Sequence, residues 1–458
     1  RKGPKRMVKN DERLGSAPLG RLMVSMALPA VAAQVINVLY NIVDRIYIGH
    51  IPGYGELALT GVGVTAPILM VISAFSAFAG MGGAPQASIQ LGKKNYEGAE
   101  KILGTSVAML LLFSVVLTVV FQAFKTPILY AFGASDNTIV HAREYITIYL
   151  AGTVFVQFAL GLNTYISGQG NAKIAMLSVL LGAVTNIILD PVLIFGFHMG
   201  VRGAALATVI SQALSAAWVL RFLTGSNSVI RIRRKQIRLD KKTVLGIGAL
   251  GISPFIMQST ESLVMITLNT GLQKYGGDMY VGTMSIMASV MQLITIPVQG
   301  VAQGVQPIMS YNYGAGNLKR VKDTFLRMVL VCLAGTMVFA GIAVLRPEFY
   351  ARLFSSNEEL TMLTCRYMPV YFLGITIFGI QMGCQTTFLA LGQAKVSLVI
   401  ALLRKIVLLV PLAVLFPRFM GVDGVYRAEP VADFTSVAVT MLLFFFTARK
   451  LLSGEQPE

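Results

Sequence analysis

Four polar side chains share one face of an otherwise apolar segment near the start of the chain: Gln34, Asn37, Asn41 and Asp44. Steps of three, four and three residues place them on one side of an α-helix. In a later apolar stretch, TNIILDP, Asn186 and Asp190 are one helical turn apart. The next segment carries hydroxyl and amide groups at helical spacing: Thr208, Ser211, Gln212 and Ser215. Two acids accompanied by amides favour a site for a cation or a proton, because both bind to oxygen atoms.

A longer polar stripe, again at helical spacing, occurs in the second half of the chain: Ser285, Ser289, Gln292, Thr295, Gln299, Gln303 and Gln306. Three methionines stand beside it: Met284, Met287 and Met291. Neighbouring segments add Gln258, Glu261, Gln381 and Gln385. Amides mixed with flexible thioethers suit a cavity that accepts varied organic ligands. Ordinary hydrogen bonding between helices is the alternative explanation.

The elements that hold these residues must be membrane-spanning helices. The chain is 55% hydrophobic and only 13% charged, with a mean hydropathy of +0.69, whereas soluble domains are about 25% charged. Breaks at glycine, proline and charged clusters divide the chain into twelve apolar segments, each long enough to cross a bilayer as a helix. We place them near 22–48, 57–83, 102–124, 141–167, 172–195, 203–223, 244–270, 279–306, 324–345, 362–388, 396–416 and 424–447. Bends are expected at Pro29, Pro254 and Pro297.

Acids inside such helices are costly to insert, by about 2.5–3.5 kcal/mol each, so they usually face a bundle interior or an aqueous cavity. Simpler explanations exist for some of them. Asp44 could pair with the adjacent Arg45, and Asn186 could cap or join helices. Later in the chain, Arg404 and Lys405 could offset Glu429 and Asp433. The three cysteines have no metal-ligand spacing and are expected to be small core thiols.

The net charge of +17 is explained by topology rather than by nucleic-acid binding. If the N-terminus is cytoplasmic, 26 of the 38 Lys and Arg residues fall on the cytoplasmic side, nine on the other side and three within spans. This asymmetry follows the positive-inside rule and predicts that both termini are cytoplasmic. The N-terminal apolar run is too long for a signal-peptide core and lacks a cleavage site, so we expect no cleavable signal peptide.

The longest polar break, SNSVIRIRRKQIRLDKK, separates two sets of six spans that echo each other. GGAPQASIQLGKKNYEGAEK matches GVQPIMSYNYGAGNLKRVKD, and HMGVRGAA resembles FMGVDGVY. Two six-helix repeats in the same orientation are a common transporter plan, with substrate bound between the halves. The predicted organisation is a cytoplasmic tail, an N-terminal lobe, a cytoplasmic basic linker, a C-terminal lobe and a second cytoplasmic tail: 1–21, 22–223, 224–243, 244–447 and 448–458.

With these residues in view, the chain resembles the multidrug and toxic compound extrusion (MATE) family along almost its whole length, most closely the bacterial MepA/DinF-like type. The likeness rests on the repeat and on four stretches: LYNIVDRIYIG, TNIILDP, MQSTESLVM and QPIMSYNYGAGN. It implies an all-α membrane protein with two pseudo-symmetric six-helix lobes. It also implies a cation-binding cluster in the N-terminal lobe, at the positions of Asp44, Asn186, Asp190 and Thr208.

The resemblance implies a transporter of the bacterial plasma membrane, functional as a monomer, that exports amphipathic and often cationic organic compounds in exchange for Na⁺ or H⁺. The cluster would bind a metal ion only if Na⁺ is the coupling ion, and no other cofactor is implied. Glu261 matches an acid of the NorM-like and eukaryotic branches. The span-10 aspartate of the NorM-like branch has no counterpart between Met368 and Leu391, which puts a NorM-style ion site in the C-terminal lobe in doubt.

The residues leave other functions open. A flippase for lipid-linked precursors, from the same broader superfamily, would line its cavity with basic residues, whereas this chain offers glutamines, methionines and an acid there. An intramembrane prenyltransferase would need clustered acidic motifs, and the nearest match is the solitary NIILD. The sequence has no P-loop, Cys-His or Ser-His-Asp pattern of an enzyme, and no stretch resembles a channel filter.

We expect the substrate cavity to include Gln34, Asn37, Asn41, Gln258, Glu261, Met287, Met291, Gln292, Gln299, Gln381 and Gln385. Asp44 and Asp190 are expected to form the coupling site, because two close carboxylates in a poorly solvated lobe either share a proton or hold a cation between them. Pro29, about four turns before Asp44, is the expected hinge.

Overall fold

The computed structural model describes residues 8–452, and these residues form helices and loops without strands. Ten helices make up the first half: α1 Val8–Ser16, α2 Leu19–Gly49, α3 Gly55–Val64, α4 Ala66–Gly92, α5 Tyr96–Ala131, α6 Ile139–Ala151, α7 Thr153–Gly161, α8 Asn163–Gly168, α9 Ala172–Pro191 and α10 Val201–Thr224. A short π-helical segment, Val192–Gly196, continues α9.

The second half contains ten further α-helices: α11 Lys241–Tyr275, α12 Asp278–Gly314, α13 Leu318–Leu345, α14 Pro347–Phe354, α15 Glu358–Tyr371, α16 Phe378–Ala390, α17 Ala394–Leu402, α18 Val410–Leu415, α19 Pro417–Met420 and α20 Val422–Leu452. A second π-helical segment, Leu403–Leu409, joins α17 to α18. Each half therefore carries a π-helical segment in its fifth span.

Among the described residues, ten helices are long and apolar enough to cross a membrane, and two bent pairs bring the number to twelve. The pairs are Ile139–Ala151 with Thr153–Gly168, bent by 62°, and Glu358–Tyr371 with Gly374–Ala390, bent by 45°. They fall at the fourth and tenth predicted spans. The protein is an all-α membrane protein of two repeated lobes, as the sequence predicted.

The largest differences from the predicted spans are at the second and eighth. The second is divided at Thr65 into α3 and α4, and only α4 is long enough to cross the membrane. Helices α4 and α12 also run on past the predicted ends, to Gly92 and Gly314. Pro85 and Pro307 lie inside these helices instead of ending them. Both helices stop just before an asparagine, Asn95 or Asn317, whose side chain accepts a hydrogen bond from a main-chain N–H of the next helix, at 3.0 and 3.2 Å. The matching caps make the repeat visible in the structure.

The hydrophobic cores show where the two lobes meet. One cluster contains only first-half residues, such as Ile48 and Ile146, and another contains only second-half residues, such as Leu268. A third cluster combines both halves and includes Leu91 and Met309. The shared core lies at the end of the molecule that carries α1, where α4 and α12 pack together. The lobes are thus joined at this end, and each has a separate core at the other.

Small residues allow the helices of the two lobes to cross closely. A Cβ atom on Gly92 would lie 2.0 Å from the carbonyl oxygen of Tyr311, and one on Gly314 would lie 2.0 Å from that of Ile89. These two contacts are equivalent under the repeat. Helix α2 crosses α12 in the same way at Gly300 and Gly304. Such crossings are typical of helix packing in membranes.

The basic segment between the lobes is anchored to the first lobe. Gln169 Oε1 accepts a hydrogen bond from the Val229 N–H at 2.8 Å, and Glu100 pairs with Arg233. Asp240 caps α11 through Thr243 and contacts Lys101 at 3.1 Å. Hydrogen bonds from Thr243 and Lys101 lower the pKa of Asp240 to about 2.

Parts of the two predicted tails, residues 1–7 and 453–458, lie outside the described residues. The described part of the N-terminal tail includes helix α1, which contacts α12 of the second lobe. All three cysteines are free thiols, and Cys332 and Cys384 are buried, as expected for small core residues.

Candidate ion and substrate sites

The four residues of the predicted ion cluster are all buried inside the N-terminal lobe. Asp44 is 8% exposed and Asp190 is 0% exposed. Helix α2 packs against α9, and this brings the two carboxyl groups close enough for their charges to interact. Helix α10 adds Thr208, whose hydroxyl accepts a hydrogen bond from Asn186 Nδ2 at 3.4 Å. Residues from three helices, up to 164 positions apart in the chain, therefore meet at one place.

The oxygen atoms of this cluster are poorly satisfied by the protein itself. Within the described part of the chain, four buried oxygens have no hydrogen-bond donor: Asp44 Oδ1, Asn186 Oδ1, Asp190 Oδ1 and Asp190 Oδ2. Unpaired buried polar atoms are rare because each costs about 1–3 kcal/mol. A proton or a small cation would satisfy them, and alkali cations prefer oxygen ligands. The residues therefore fit Na⁺ or H⁺.

Tyrosines complete the surroundings of the two acids, and the sequence analysis missed them. Tyr40 lies beside Asp44 and Asp190, and it lines the adjacent cavity together with Gln212. Tyr145 lies beside Asp44. Tyr40 precedes Asp44 by one helical turn, a signal that could have identified it. Nothing in the sequence pointed to Tyr145, which comes from the fourth span.

A small cavity of about 30 Å³ adjoins the cluster, with room for roughly one water molecule or ion. Polar side chains that line it include Asn37, Tyr40, Asn186, Thr208, Ser211, Gln212 and Ser215. Asn37, predicted as part of the substrate cavity, thus lies beside the ion cluster instead. Its helical neighbour Asn41 is exposed and donates a hydrogen bond to the Asn37 carbonyl at 2.8 Å.

The alternative that Arg45 neutralises Asp44 by pairing is not supported. Arg45 is exposed whereas Asp44 is buried, and no salt bridge between them occurs in the described residues. The alternative for Asn186 is partly supported, because its hydrogen bond to Thr208 does join two helices. That bond uses only the amide nitrogen and leaves the Asn186 oxygen without a donor.

Several predicted cavity residues lie where the two lobes face each other. Gln34 of α2 donates a hydrogen bond to Gln303 of α12 at 3.0 Å. Gln258 of α11 donates one to Ser73 of α4 at 2.9 Å. Both bonds cross between the lobes. Helix α2 continues without a break through Pro29, the expected hinge. On either side of Pro29, Ala27 and Val31 contact Gly304 and Gly300 of α12.

The polar stripe of α12 is divided between surface and interface. Gln292 and Gln299 are exposed, and Met291 is partly buried against the core of the second lobe. An open depression of about 500 Å³ lies near the start of α12 and the end of α11, with Asn269, Gln273 and Lys274 on its walls. Because it is broadly open to the surface, it would bury little of a bound molecule.

Three predicted cavity residues face the interior of the C-terminal lobe instead. Met287 is 0% exposed in its core, because it lies on the face of α12 opposite the exposed glutamines. Gln381 accepts a hydrogen bond from Ser436 at 2.8 Å, and Gln385 donates one to Ser397 at 2.9 Å. The two buried glutamines join helices, so the prediction that these three residues line the substrate cavity was wrong.

Glu261 has a partner that the sequence did not predict. Its carboxylate forms an ion pair with Lys405 from the π-helical segment. Arg404 contacts Glu429 at 2.8 Å and Asp433 at 2.7 Å, in agreement with the expected pairing for that residue. The expected pairing of Lys405 with the acids of α20 was wrong, since the lysine contacts α11 instead.

Comparison with solved structures defines the class of fold. The chain is similar to the crystal structure of MATE in the bent conformation, with a TM-score of 0.90, 23% identity, and coverage of 98% of this chain and 99% of that one. It is also similar to the outward-facing conformation of a multidrug resistance MATE family transporter of the MOP superfamily, with a TM-score of 0.88, 22% identity, and coverage of 97% and 98%.

The sequence matches the MatE family over residues 29–192 and 254–415, one range in each lobe, and the chain belongs to this family. Its members are membrane transporters rather than enzymes. The chain is 26% identical to the multidrug export protein MepA of Staphylococcus haemolyticus, covering 94% of both chains. It is 24% identical to MepA of Staphylococcus aureus strain MSSA476, covering 96% of this chain and 97% of that one.

Proposed function

We propose that this protein is a cation-coupled antiporter that exports amphipathic organic compounds, many of them cationic, from a bacterial cell. The observation that carries the proposal is the buried Asp44–Asp190 pair with its unpartnered oxygens. The names of the two staphylococcal relatives support multidrug export as the activity. Na⁺ and H⁺ both fit the site, because either one neutralises charge between the acids.

The coupling arises from two conformations that bind the ion differently. Two ionised carboxylates repel each other in a poorly solvated lobe, and a bound cation or proton removes this repulsion. Helix α2 carries Asp44 and also crosses α12 of the other lobe. Relief of the repulsion changes how α2 packs, with Pro29 as the bend. An ion gradient can then drive the conformational cycle, because the ion favours one conformation over the other.

The orientation and surroundings follow from the charge asymmetry. We propose that the protein resides in the plasma membrane as a monomer, with both termini in the cytoplasm. The joined ends of the lobes would then face the cytoplasm, and the separate cores would border a cleft open to the outside. Substrate would be released on that side and the ion would enter from it.

A flippase for lipid-linked precursors is less well supported. It would require basic side chains free to bind pyrophosphate. Arg404 and Lys405, which lie within the C-terminal lobe, are both paired with carboxylates. Neither basic group is therefore free to bind an anionic substrate.

The proposal is tested with everted membrane vesicles that contain the protein. Efflux of a fluorescent organic cation is measured while either a Na⁺ gradient or a pH gradient is imposed. Transport that depends on one of the two gradients supports the proposal and identifies the ion. Transport unaffected by either gradient, or no transport of any organic compound tested, contradicts it.

A further inference from the structure

Five charged side chains form a network inside the C-terminal lobe: Glu261, Arg404, Lys405, Glu429 and Asp433. Arg404 bridges the two acids of α20 and stacks on the ring of Phe378, 4.4 Å from its centre. The ammonium of Lys405 contacts Glu261 and also donates a hydrogen bond to the Met257 carbonyl at 2.9 Å. The network joins α11, the π-helical segment and α20, so it lies within one lobe.

The internal repeat puts this network at the place where the other lobe has its small polar cavity. When HMGVRGAA is aligned with FMGVDGVY, Thr208 corresponds to Glu429 and Gln212 corresponds to Asp433. Thr208 and Gln212 both line the cavity of the N-terminal lobe. The acids of α20 therefore occupy the positions of neutral groups that surround the proposed ion site.

The fifth spans of the two lobes correspond in the same way. The motifs ISGQGNAK (166–173) and LALGQAK (389–395) are aligned at their final lysines. In this alignment Gly182 corresponds to Arg404 and Ala183 corresponds to Lys405. Gly182 and Ala183 line the N-terminal cavity and leave it open. In the C-terminal lobe the corresponding positions carry two basic side chains, and both form ion pairs. One lobe thus offers room for an external cation where the other carries cations of its own.

The charges of the network do not balance. When all five groups are ionised, three carboxylates face two basic groups, and one negative charge remains. The second oxygen of the buried Asp433 has no hydrogen-bond donor in the described residues. An uncompensated charge in a protein interior is costly. The network therefore has the capacity for one further monovalent cation.

The two ion pairs differ in mobility and exposure. Arg404 is held by two carboxylates and an aromatic ring, which fixes its planar guanidinium. Lys405 holds a single carboxylate through a flexible stem of four carbons. The side chain of Glu261 is 53% exposed, whereas that of Lys405 is 12% exposed. A molecule from outside the lobe can thus reach Glu261 without displacing the Arg404 bridge.

We infer that Lys405 is a built-in cation that competes with cationic substrates for the carboxylate of Glu261. An organic cation binds Glu261, and the ammonium of Lys405 turns inward to Glu429 and the free oxygen of Asp433. Neutral substrates do not enter this exchange. The inference rests on the proposed function, since it concerns which exported compounds the C-terminal lobe binds.

The experiment measures equilibrium binding to purified protein without any ion gradient. The probes are ethidium, a monovalent organic cation, and N-phenyl-1-naphthylamine, a neutral compound, both followed by fluorescence. Lys405→Met removes the competitor and is expected to tighten ethidium binding by about tenfold, with neutral binding unchanged. Lys395→Met, at an exposed lysine earlier in the same span, is the matched control and should change neither.

The effect must depend on Glu261. In a Glu261→Gln background, Lys405→Met should no longer affect ethidium binding. Unchanged or weaker ethidium binding in Lys405→Met, or equal tightening of both probes, overturns the inference. If Lys405→Met does not yield folded protein, Glu261→Gln alone decides. It must then weaken ethidium binding without affecting the neutral probe, and equal weakening of both overturns the inference.

These binding results are separate from the test of transport. A shift in ethidium binding with no gradient-driven efflux would support the lysine exchange and contradict the antiport mechanism. Gradient-driven efflux with no shift in ethidium binding would support the antiport mechanism and contradict the lysine exchange. The two proposals can thus fail independently.

Discussion

The carboxyl groups of Asp44 and Asp190 are buried against each other, although burial of a charge is costly unless a partner compensates it. Tyr40 and Tyr145 lie close to Asp44. Three of the four carboxylate oxygens lack donors within the described residues. A stable core would not need this arrangement. We interpret it as a site whose occupant comes and goes.

The first prediction concerns this pair. Asp44→Asn should abolish gradient-driven export while the protein remains inserted and binds substrate, because a neutral amide neither repels Asp190 nor takes up a proton. Asp190→Asn should have the same effect. The double variant should be little worse than either single one, since residues that act as a unit are not additive. The measurement is efflux in everted vesicles together with substrate binding.

A matched control for these variants is Asp136→Asn, at an exposed acid of the same lobe. It should transport normally. Full export by Asp44→Asn would show that the pair is not the coupling site. Loss of both export and binding in the Asp44 and Asp190 variants would instead point to a structural role.

At the scale of single elements, α12 presents two kinds of polar side chain. Gln292 and Gln299 are exposed, whereas Gln303 is partly buried in a hydrogen bond to Gln34 across the lobes. Replacement of Gln292 or Gln299 with leucine should therefore change the relative export of different substrates without loss of folded protein. Transport of a panel of cationic and neutral compounds, normalised to the amount in the membrane, measures this.

Gln303→Leu is the contrasting variant on the same helix, because it removes a hydrogen bond between the lobes. We expect it to lower the Tm by an amount equivalent to about 1 kcal/mol, the usual net contribution of one such bond. If Gln292→Leu and Gln299→Leu instead lose expression while Gln303→Leu does not, the assignment of surface and interface on α12 is wrong.

The crossing of α4 and α12 yields a second prediction at this scale. Alanine at Gly314 would put a Cβ atom 2.0 Å from the Ile89 carbonyl oxygen, so the two helices must separate. We expect Gly314→Ala to destabilise the joined ends of the lobes by about 1–3 kcal/mol, as overpacking does. Gly92→Ala should have a similar effect, because the contact is repeated. Thermal unfolding of the purified variants measures the change.

Gly341 of α13 provides the control, because a Cβ atom there meets no other atom within 4 Å. Gly341→Ala should leave stability unchanged or raise it, since alanine favours helix more than glycine does by about 1 kcal/mol. Similar Tm values for the Gly314 and Gly341 variants would mean that the close crossing is not important for stability.

In the whole molecule, helix α1 ties the two lobes together at their joined end. It leads directly into α2 of the first lobe, but its C-terminal carbonyls are held by the second lobe. Arg320 donates hydrogen bonds to the carbonyls of Leu14, at 3.2 Å, and Ala17, at 2.6 Å. Asn312 donates another to Leu14 at 2.9 Å. A basic group at a helix C-terminus is also favoured by the helix dipole.

We therefore predict that Arg320→Ala favours separation of the lobes at this end. Spin labels at Lys93 and Lys319, in a cysteine-free background, would report the distance between the end of α4 and the start of α13. The variant should show a larger population at long distance. Lys322→Ala, at an exposed residue of the same helix, should not. An identical distance distribution for Arg320→Ala and the unmodified protein would contradict this role of α1.

Much of the fold could be predicted because a bilayer imposes simple rules on the sequence. The length of each apolar segment is set by membrane thickness, and this located the twelve spans. The internal repeat was visible in matched motifs, which the structure uses as matched caps at Asn95 and Asn317. Helix ends were predicted less well, because α4 and α12 extend past the apolar region. The chain leaves the helical conformation only at Lys94 and Gly316, where φ is positive.

For the sites, the sequence by itself determined which residues carry polar groups and on which face of their own helix. Helical spacing depends only on neighbours in the chain, so Asp44, Asn186, Asp190 and Thr208 could be identified as candidates. The tertiary structure decided how each helix is rotated and which helix it meets. It brought Tyr145 to Asp44, paired Lys405 with Glu261 and turned Met287 into the core. Tyr145 and Asp44 are more than 100 residues apart in the chain, and so are Lys405 and Glu261. Packing of whole helices, rather than local spacing, brings each pair together.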